Sequence, residues 1–265
     1  RLDLRFPLDL LVRDVKAVEP TTRDTLLSLE RLKVELRFWK LLKKEVEIEE
    51  ISIRNATFDT RDFIDGVVVS GHLGELFLES HGVVFSPETA RINEFSVKNT
   101  DVSLTLGSIE STDTVPSEPL YWKILLDEID FENVGFALKM PQDSLFVRTM
   151  LPKTTLKNGV IDLKEASYYV KSFGIDNAEL AYGPKEELFL QQIGLQLDSI
   201  YYCGKDIRAN IEEFVLKERS GLELVSTEGR IVSDSVLIEI PKFTMKTTAS
   251  SLDLQTKIGW DVLEM

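Results

Sequence analysis

Hydrophobic and polar residues alternate along most of the chain, and one arrangement of them recurs. It reads apolar, polar, apolar, charged, Asn, any two residues, apolar, and it occurs at residues 51–58, 95–102, 129–136 and 173–180. Two shorter versions without the Asn follow at 214–217 and 243–246. Repetition of this kind indicates a structure built from repeated units.

The spacing within each copy predicts a β-strand with one apolar and one polar face. Ile129 and Phe131 are two residues apart with Asp130 between them, which is the period of a half-buried strand. After Asn133 the next apolar residue arrives one position out of phase, so an irregularity must lie there. Asn tolerates the left-handed backbone that either a β-bulge or a tight turn requires, and the sequence leaves both interpretations open.

The remaining segments also favour strands. Leu32, Val34 and Leu36 alternate strictly, and we expect a strand there, although residues 29, 32, 36 and 39 also fit a helical stripe. Residues 39–44 break the alternation and predict a short helical turn. The stretch 64–85 is rich in Gly and β-branched residues, which predicts short strands joined by tight turns.

These patterns predict an all-β fold with few short helical turns: an elongated, curved, mainly antiparallel sheet with an apolar inner face. Residues 107–119 are the most loop-like stretch. We therefore expect a first β-repeat segment at 1–106, a loop at 107–119, and a second segment at 120–265 that continues the first. Because Arg1 falls inside an alternating pattern, we expect the chain to be part of a longer protein.

Composition narrows the range of partners. The chain has 265 residues, with 45 acidic and 31 basic side chains and a net charge of −14. This balance argues against a nucleic-acid partner and against a basic membrane-binding surface. A single cysteine, Cys203, excludes an internal disulfide framework and a multi-cysteine zinc site. We find no apolar run long enough for a membrane-spanning helix and no signal-peptide pattern.

The sequence offers little catalytic chemistry. His72 and His81 have no ligands at metal-binding spacing, and no nucleotide-binding or hydrolase motif is present. Cys203 would need a histidine from a distant part of the chain to act as a nucleophile, so a free thiol is the better interpretation. Acidic clusters alternate with apolar residues and so lie mainly on a solvated strand face. We predict no enzyme, no catalytic residue, no metal site and no cofactor.

The repeats predict an apolar stripe that crosses the sheet. Two interpretations are open: the sheet folds onto itself and buries the stripe as a core, or the stripe lines a groove for acyl chains. Each buried methylene contributes about 0.8 kcal/mol, so a chain of about fifteen carbons could gain on the order of 10 kcal/mol without a specific polar contact. The candidate lipid-binding residues are Ile51, Ile53, Phe58, Phe95, Val97, Ile129, Phe131, Phe136, Phe173, Ile175, Leu180, Phe214, Leu216, Phe243 and Met245.

Several segments resemble the AsmA-like family, which includes the translocation and assembly module subunit TamB. They are residues 25–29, 34–36 with the Leu41-Leu42 turn, 46–56, 122–133, 218–224 and 247–252. The resemblance implies a periplasmic protein of a Gram-negative envelope, anchored to the inner membrane by an N-terminal helix that this sequence lacks. It also implies a taco-shaped β-sheet that moves phospholipid towards the outer membrane or assists the assembly of outer-membrane proteins.

Two functions are consistent with these observations. The first is a β-groove segment that binds and conducts phospholipid acyl chains between the inner and outer membranes. The second is a structural scaffold that assists outer-membrane protein insertion by strand augmentation. The family resemblance adds one expected partner, an outer-membrane assembly protein of the BamA/TamA type, which would dock through regions missing from this sequence.

Overall fold

The computed structural model describes residues 2–5, 9–41, 47–61, 66–85, 88–107 and 121–260. Nearly all of them lie in β-strands, which confirms the all-β prediction. The strands are β1 (Leu2–Arg5), β2 (Asp9–Val18), β3 (Thr25–Leu36), β4 (Ile48–Asp59), β5 (Val67–Phe85), β6 (Glu88–Leu106), β7 (Lys123–Met140), β8 (Leu145–Asp162), β9 (Ser167–Tyr182), β10 (Leu188–Cys203), β11 (Asp206–Glu218), β12 (Glu223–Ser233), β13 (Leu237–Thr247) and β14 (Ser251–Gly259).

All fourteen strands form one curved, unclosed sheet in which each strand pairs with the next in sequence. Every pairing is antiparallel except β6 with β7, which run parallel from Thr89 opposite Lys123 to Thr105 opposite Lys139. The sheet therefore continues without interruption from the first repeat segment into the second, while residues 108–120 of the connecting loop lie outside the described residues. At about 4.8 Å per strand, the sheet is about 60 Å from β1 to β14.

Two local expectations are met and one is wrong. Strand β3 covers the alternating residues around Val34, and the helical turn expected after it is α1 (Phe38–Leu41); residues 42–44 of that prediction lie outside the described part. The Gly-rich stretch, in contrast, forms one long strand, β5. A Cβ added at Gly74 would meet the backbone oxygen of Asn99 at 2.5 Å, so glycine serves there for close approach of the neighbouring strand and not for a turn.

The Asn of each repeat lies inside a continuous strand and not at a turn. Asn55, Asn99, Asn133 and Asn177 all have left-handed backbones, with φ between 49° and 55°. In the six successive strand pairings from β3 with β4 to β8 with β9, the register is the same on both sides of the Asn. Neighbouring strands therefore make the same step side by side, so the step bends the whole sheet instead of displacing one strand along another.

Each Asn step places two consecutive side chains on the polar face. In β9, Asp176 and Asn177 are both exposed and the following Ala178 is buried. A second step precedes the first apolar residue of the repeat, at Asp127 and Glu128 in β7, after the buried Leu126. The polar face thus carries more residues per strand than the apolar face. Its path is longer, and this makes the apolar face the concave one.

The described strands form a single unclosed sheet. Apart from isolated pairs, the backbone of each strand closely approaches only the strands hydrogen-bonded beside it and the short 3₁₀ turn Pro141–Asp143. No side chain among the described residues is fully buried. This low burial does not support the interpretation in which the sheet folds onto itself to form a sealed core.

Candidate functional site

The backbone register aligns apolar side chains into rows that cross the strands. Residues directly opposite each other in neighbouring strands share a face of the sheet, so each row can be followed from strand to strand. A first row runs from β2 to β14 and is apolar at every position except one glycine: Leu10, Val34, Ile51, Leu78, Phe95, Ile129, Leu156, Phe173, Leu197, Ile211, Gly229, Phe243 and Leu254.

A second row lies two residues further along the strands. From β2 to β11 it contains Val12, Leu32, Ile53, Leu76, Val97, Phe131, Thr154, Ile175, Leu195 and Phe214. On β12 to β14, Thr227, Met245 and Leu252 are aligned two residues from the first row in the same way. The two rows together form the floor of an apolar surface that extends over most of the sheet.

A third row lies beyond the Asn step and is less continuous. It contains Leu27, Phe58, Gly71, Val102, Phe136, Thr149, Leu180 and Leu190. The candidate lipid-binding residues therefore lie in three rows and not in a single stripe. One of them, Leu216, lies outside these rows, opposite Leu224.

Strands without the repeat supply row residues that the candidate set omits. Leu78 and Leu156 sit in the first row, and Leu195 sits in the second. For Leu78 and Leu195 the available signal was alternation, because each is two positions from another apolar residue, whereas Leu156 has Thr154 and Asn158 at those positions. What the sequence could not supply was the register that places them beside the repeated residues.

The apolar surface is partly open to solvent. Of the candidate residues, Val97 is buried at 8% exposure, Phe136 is exposed at 37%, and the others are half-buried. The rings of Phe95 and Phe131 meet edge to face with centroids 6.1 Å apart, which links β6 to β7 on this face. Side chains of the first and second rows therefore contact each other from the sides, and most of them remain partly exposed.

The opposite face carries a row of carboxylates. Each strand from β2 to β7 contributes one carboxylate that lies directly opposite the carboxylate of the next strand: Asp9, Glu35, Glu50, Glu79, Glu94 and Glu128. Lys33 contacts both Glu35 and Glu50, and the Glu35 carboxylate raises the pKa of the Lys33 ammonium. Like charges directly opposite each other are destabilising, so this acidic row favours a hydrated surface over burial against another protein layer.

Another row of the polar face alternates in charge. Glu75, Lys98, Glu132, Lys153 and Asp176 follow one another from β5 to β9. Lys98 Nζ lies 3.1 Å from a Glu132 carboxylate oxygen, and this contact raises the pKa of Lys98. Alternating charges favour one register between strands, and a shift by one residue would lose them.

Clefts on the polar face do not resemble an apolar ligand site. One of about 470 Å³ is lined by Lys98, Asp130 and Lys153, among others. Another of about 530 Å³ includes Lys16 and His72. These clefts follow the Asn step, where paired outward side chains diverge, and most of the residues that line them are polar or charged.

The expected chemical candidates are not brought together. His72 and His81 both lie in β5, whereas Cys203 ends β10 with its Sγ 3.7 Å from the backbone oxygen of Glu165. The described residues contain no group of three His, Cys, Asp or Glu side chains that could hold a metal ion. The absence of enzymatic activity remains a prediction.

Comparisons with known proteins leave the family open. Within the described part of the chain, no helix has the length and apolar character needed to cross a membrane. The chain matches no protein-family model, and no curated protein matches it. The resemblance to AsmA-like proteins therefore remains a hypothesis. The fold itself is an unclosed, curved β-sheet with aligned apolar rows.

Proposed function

We propose that this chain is a periplasmic β-groove segment of a TamB/AsmA-like envelope protein, and that it binds and conducts phospholipid acyl chains between the inner and outer membranes. The observation that supports the proposal is the pair of apolar rows, which cross most of the sheet on its concave face without a covering layer. The resemblance of the sequence to AsmA-like proteins supplies the location and the direction of transfer in this proposal.

The arrangement suits an acyl chain better than a compact ligand. The rows run perpendicular to the strands, so an extended ligand would contact Ile129, Phe131 and their neighbours in successive strands. At about 0.8 kcal/mol per buried methylene, a chain of about fifteen carbons gains on the order of 10 kcal/mol from such contacts. Since this energy depends little on the exact position, a chain could move along the rows without crossing large barriers.

The test is site-specific photocrosslinking from neighbouring positions on the two faces. A photoreactive phenylalanine analogue at Phe131 should form adducts with phospholipid in isolated membranes, and native mass spectrometry should detect the same lipid on the purified protein. The matched control is the same analogue at Asp130, the preceding residue on the polar face, which should give no lipid adduct. Equal labelling from both positions, or none from either, would contradict the proposal.

A second candidate function rests on the free edges of the sheet. Among the described strands, β14 has a neighbour on one side only, and its Leu252 and Leu254 are exposed at 45% and 39%. Such an edge can accept a strand from another protein by antiparallel pairing, as a scaffold for outer-membrane protein insertion would require. A photocrosslinker at Thr256 that captures outer-membrane proteins, with no lipid captured at Phe131, would favour this scaffold over the groove.

A further inference from the structure

Tryptophan and tyrosine gather along one of the two long rims that the strand ends form. The rim at which β3, β8, β10, β12 and β14 end contains all three tryptophans and five of the six tyrosines of the chain: Trp39, Tyr121, Trp122, Tyr168, Tyr169, Tyr201, Tyr202 and Trp260. We call it the aromatic rim. The sixth tyrosine, Tyr182, lies at the opposite rim, where β9 ends.

The apolar face continues from the first row to the aromatic rim. Beyond the step that precedes the first row, Leu126, Gly159, Val170 and Ile200 lie directly opposite one another on β7 to β10. The last row before the rim contains Ile124, Ile161, Tyr168, Tyr202 and Ile207. The rings of Tyr168 and Tyr202 have centroids 5.9 Å apart, and neither hydroxyl forms a hydrogen bond with a described residue. The apolar face therefore ends in two accessible hydroxyl groups.

Packing alone does not explain this distribution. Strands end at both rims and face the same demands for stability there, yet the aromatic residues that carry a polar atom lie almost entirely at one of them. Several are open to solvent: Trp39 is exposed at 73%, Tyr121 at 52%, Tyr202 at 45% and Tyr168 at 38%. Tryptophan and tyrosine favour boundaries between hydrocarbon and water, because the ring is apolar and its N–H or O–H group is polar. The distribution indicates that such a boundary follows the aromatic rim.

The two turns nearest the tyrosine pair carry charges of both signs. Lys164 and Glu165 are adjacent between β8 and β9, and Lys205 and Asp206 are adjacent between β10 and β11. All four are exposed, and Lys164, Glu165 and Asp206 form no ion pair with a described residue. Lys205 Nζ lies 5.1 Å from the centre of the Trp260 ring. A zwitterionic headgroup would find a partner here for both its phosphate and its ammonium group, whereas an anionic headgroup would also meet carboxylates.

We propose that the aromatic rim holds the headgroups of zwitterionic phospholipids whose acyl chains lie on the apolar rows. This inference rests on the proposed function and adds to it the orientation and headgroup class of the bound lipid. A bilayer surface fits the rim less well. The rim extends about 50 Å from β3 to β14, and because neighbouring strands twist relative to one another, it turns along its length. Lipids held in the groove follow that turn, whereas a flat bilayer meets only part of it.

The native tryptophans report on the rim, because all three lie there. The chain is loaded with phosphatidylcholine that carries a nitroxide either on the choline group or near the end of one acyl chain, and it is then separated from vesicles by gel filtration. We expect the headgroup label to cause the larger loss of tryptophan fluorescence. In a variant whose three tryptophans are replaced by phenylalanine, Phe131→Trp should reverse this order, and Tyr182→Trp should be quenched little by the headgroup label.

Each outcome is decisive, and the wild type suffices if the tryptophan-free variant is unstable. Equal quenching of the wild type by both labels, or stronger quenching by the chain label, would overturn the inference. Headgroup quenching that needs vesicles, although lipid stays bound after their removal, would assign the rim to a bilayer surface and also overturn it. If mass spectrometry finds no lipid on the separated chain, the proposed function itself fails.

The tyrosine hydroxyls are tested with Tyr168→Phe combined with Tyr202→Phe, and Tyr182→Phe is the matched control. Phosphatidylcholine and diacylglycerol with the same acyl chains compete with the labelled lipid, and they differ in the phosphocholine group. We expect the wild type to prefer phosphatidylcholine and the double variant to lose roughly two- to tenfold of this preference per hydroxyl, whereas the control keeps it. An unchanged preference in the double variant, or an equal loss in the control, would overturn the role of the pair. Phosphatidylglycerol that competes better than phosphatidylcholine would overturn the headgroup class.

Discussion

Replacing Phe131 with arginine distinguishes an open apolar groove from a sealed core. Phe131 is half-buried in the second row and packs edge to face against Phe95. In an open groove, the arginine stem can lie along the apolar surface while its guanidinium group reaches water. In a sealed core, the same charge would be buried without a partner, which is strongly destabilising.

The expected magnitudes follow from the burial of the ring. Removing the half-buried phenyl ring in Phe131→Ala costs about 1 to 1.5 kcal/mol of lost transfer free energy. Loss of the aromatic pair adds about 0.5 to 1.5 kcal/mol, for a total of about 1.5 to 3 kcal/mol. Because the guanidinium group stays hydrated, Phe131→Arg should cost within about 1 kcal/mol of Phe131→Ala.

Native-state hydrogen exchange of the β7 and β8 amides measures the local free energy of opening in each variant. Asp130→Arg, one residue away on the polar face, is the control and should change this free energy by no more than about 0.5 kcal/mol. The same variants report on function, since Phe131→Arg should reduce lipid capture and Asp130→Arg should not. A cost for Phe131→Arg that exceeds the cost for Phe131→Ala by about 3 kcal/mol or more would show that the site is sealed and refute the groove.

Three further predictions concern the polar face and the strand steps. Glu94→Gln removes one charge from the acidic row and should raise the free energy of unfolding, measured with urea, by about 0.2 to 1 kcal/mol, a gain that added salt should reduce. A loss of stability would contradict the repulsion between the carboxylates of this row. Asn177→Gly should be tolerated, whereas Asn177→Ala should cost about 1 kcal/mol in the same assay because of its left-handed backbone; equal costs would contradict this reason. Backbone N–H groups of Leu237 and Val236 lower the pKa of Asp234 from its ordinary value of 3.8. Its contribution to stability is thus complete above about pH 4 and is lost as the pH falls through the lowered pKa, so Asp234→Ala should flatten the acid dependence of β12–β13 hydrogen exchange.

The sequence predicted the repeated unit well because the signal is local. Alternation around Phe131 determines which side chains share a face, and the charged residue before Asn133 marks where that alternation shifts. The left-handed backbone at Asn133 could be anticipated from the tolerance of Asn for it. The sequence could not show whether the chain turns or continues at Asn133, because a turn and a continuing strand use the same backbone conformation at a single residue.

The Gly-rich stretch was misread for a related reason. Gly71 and Gly74 look like turn residues in isolation, but both lie in β5, where the backbone of β6 comes within 2.5 Å of the place a Cβ would occupy. The need for glycine comes from the neighbouring strand, which is distant in sequence. The same limit applies to the aromatic rim, whose residues are far apart in sequence and gather only where the strand ends align.

By itself, the sequence determined the strand content, the two-faced character of each strand and the irregularity at the Asn of each repeat, because all three depend on residues within a few positions of one another. Only the tertiary structure decided that neighbouring strands step together, that β6 and β7 pair in parallel, and that apolar residues of different strands align into continuous rows. Those features depend on register between strands, which is set by cross-strand contacts and backbone hydrogen bonds, and single-strand patterns do not encode it.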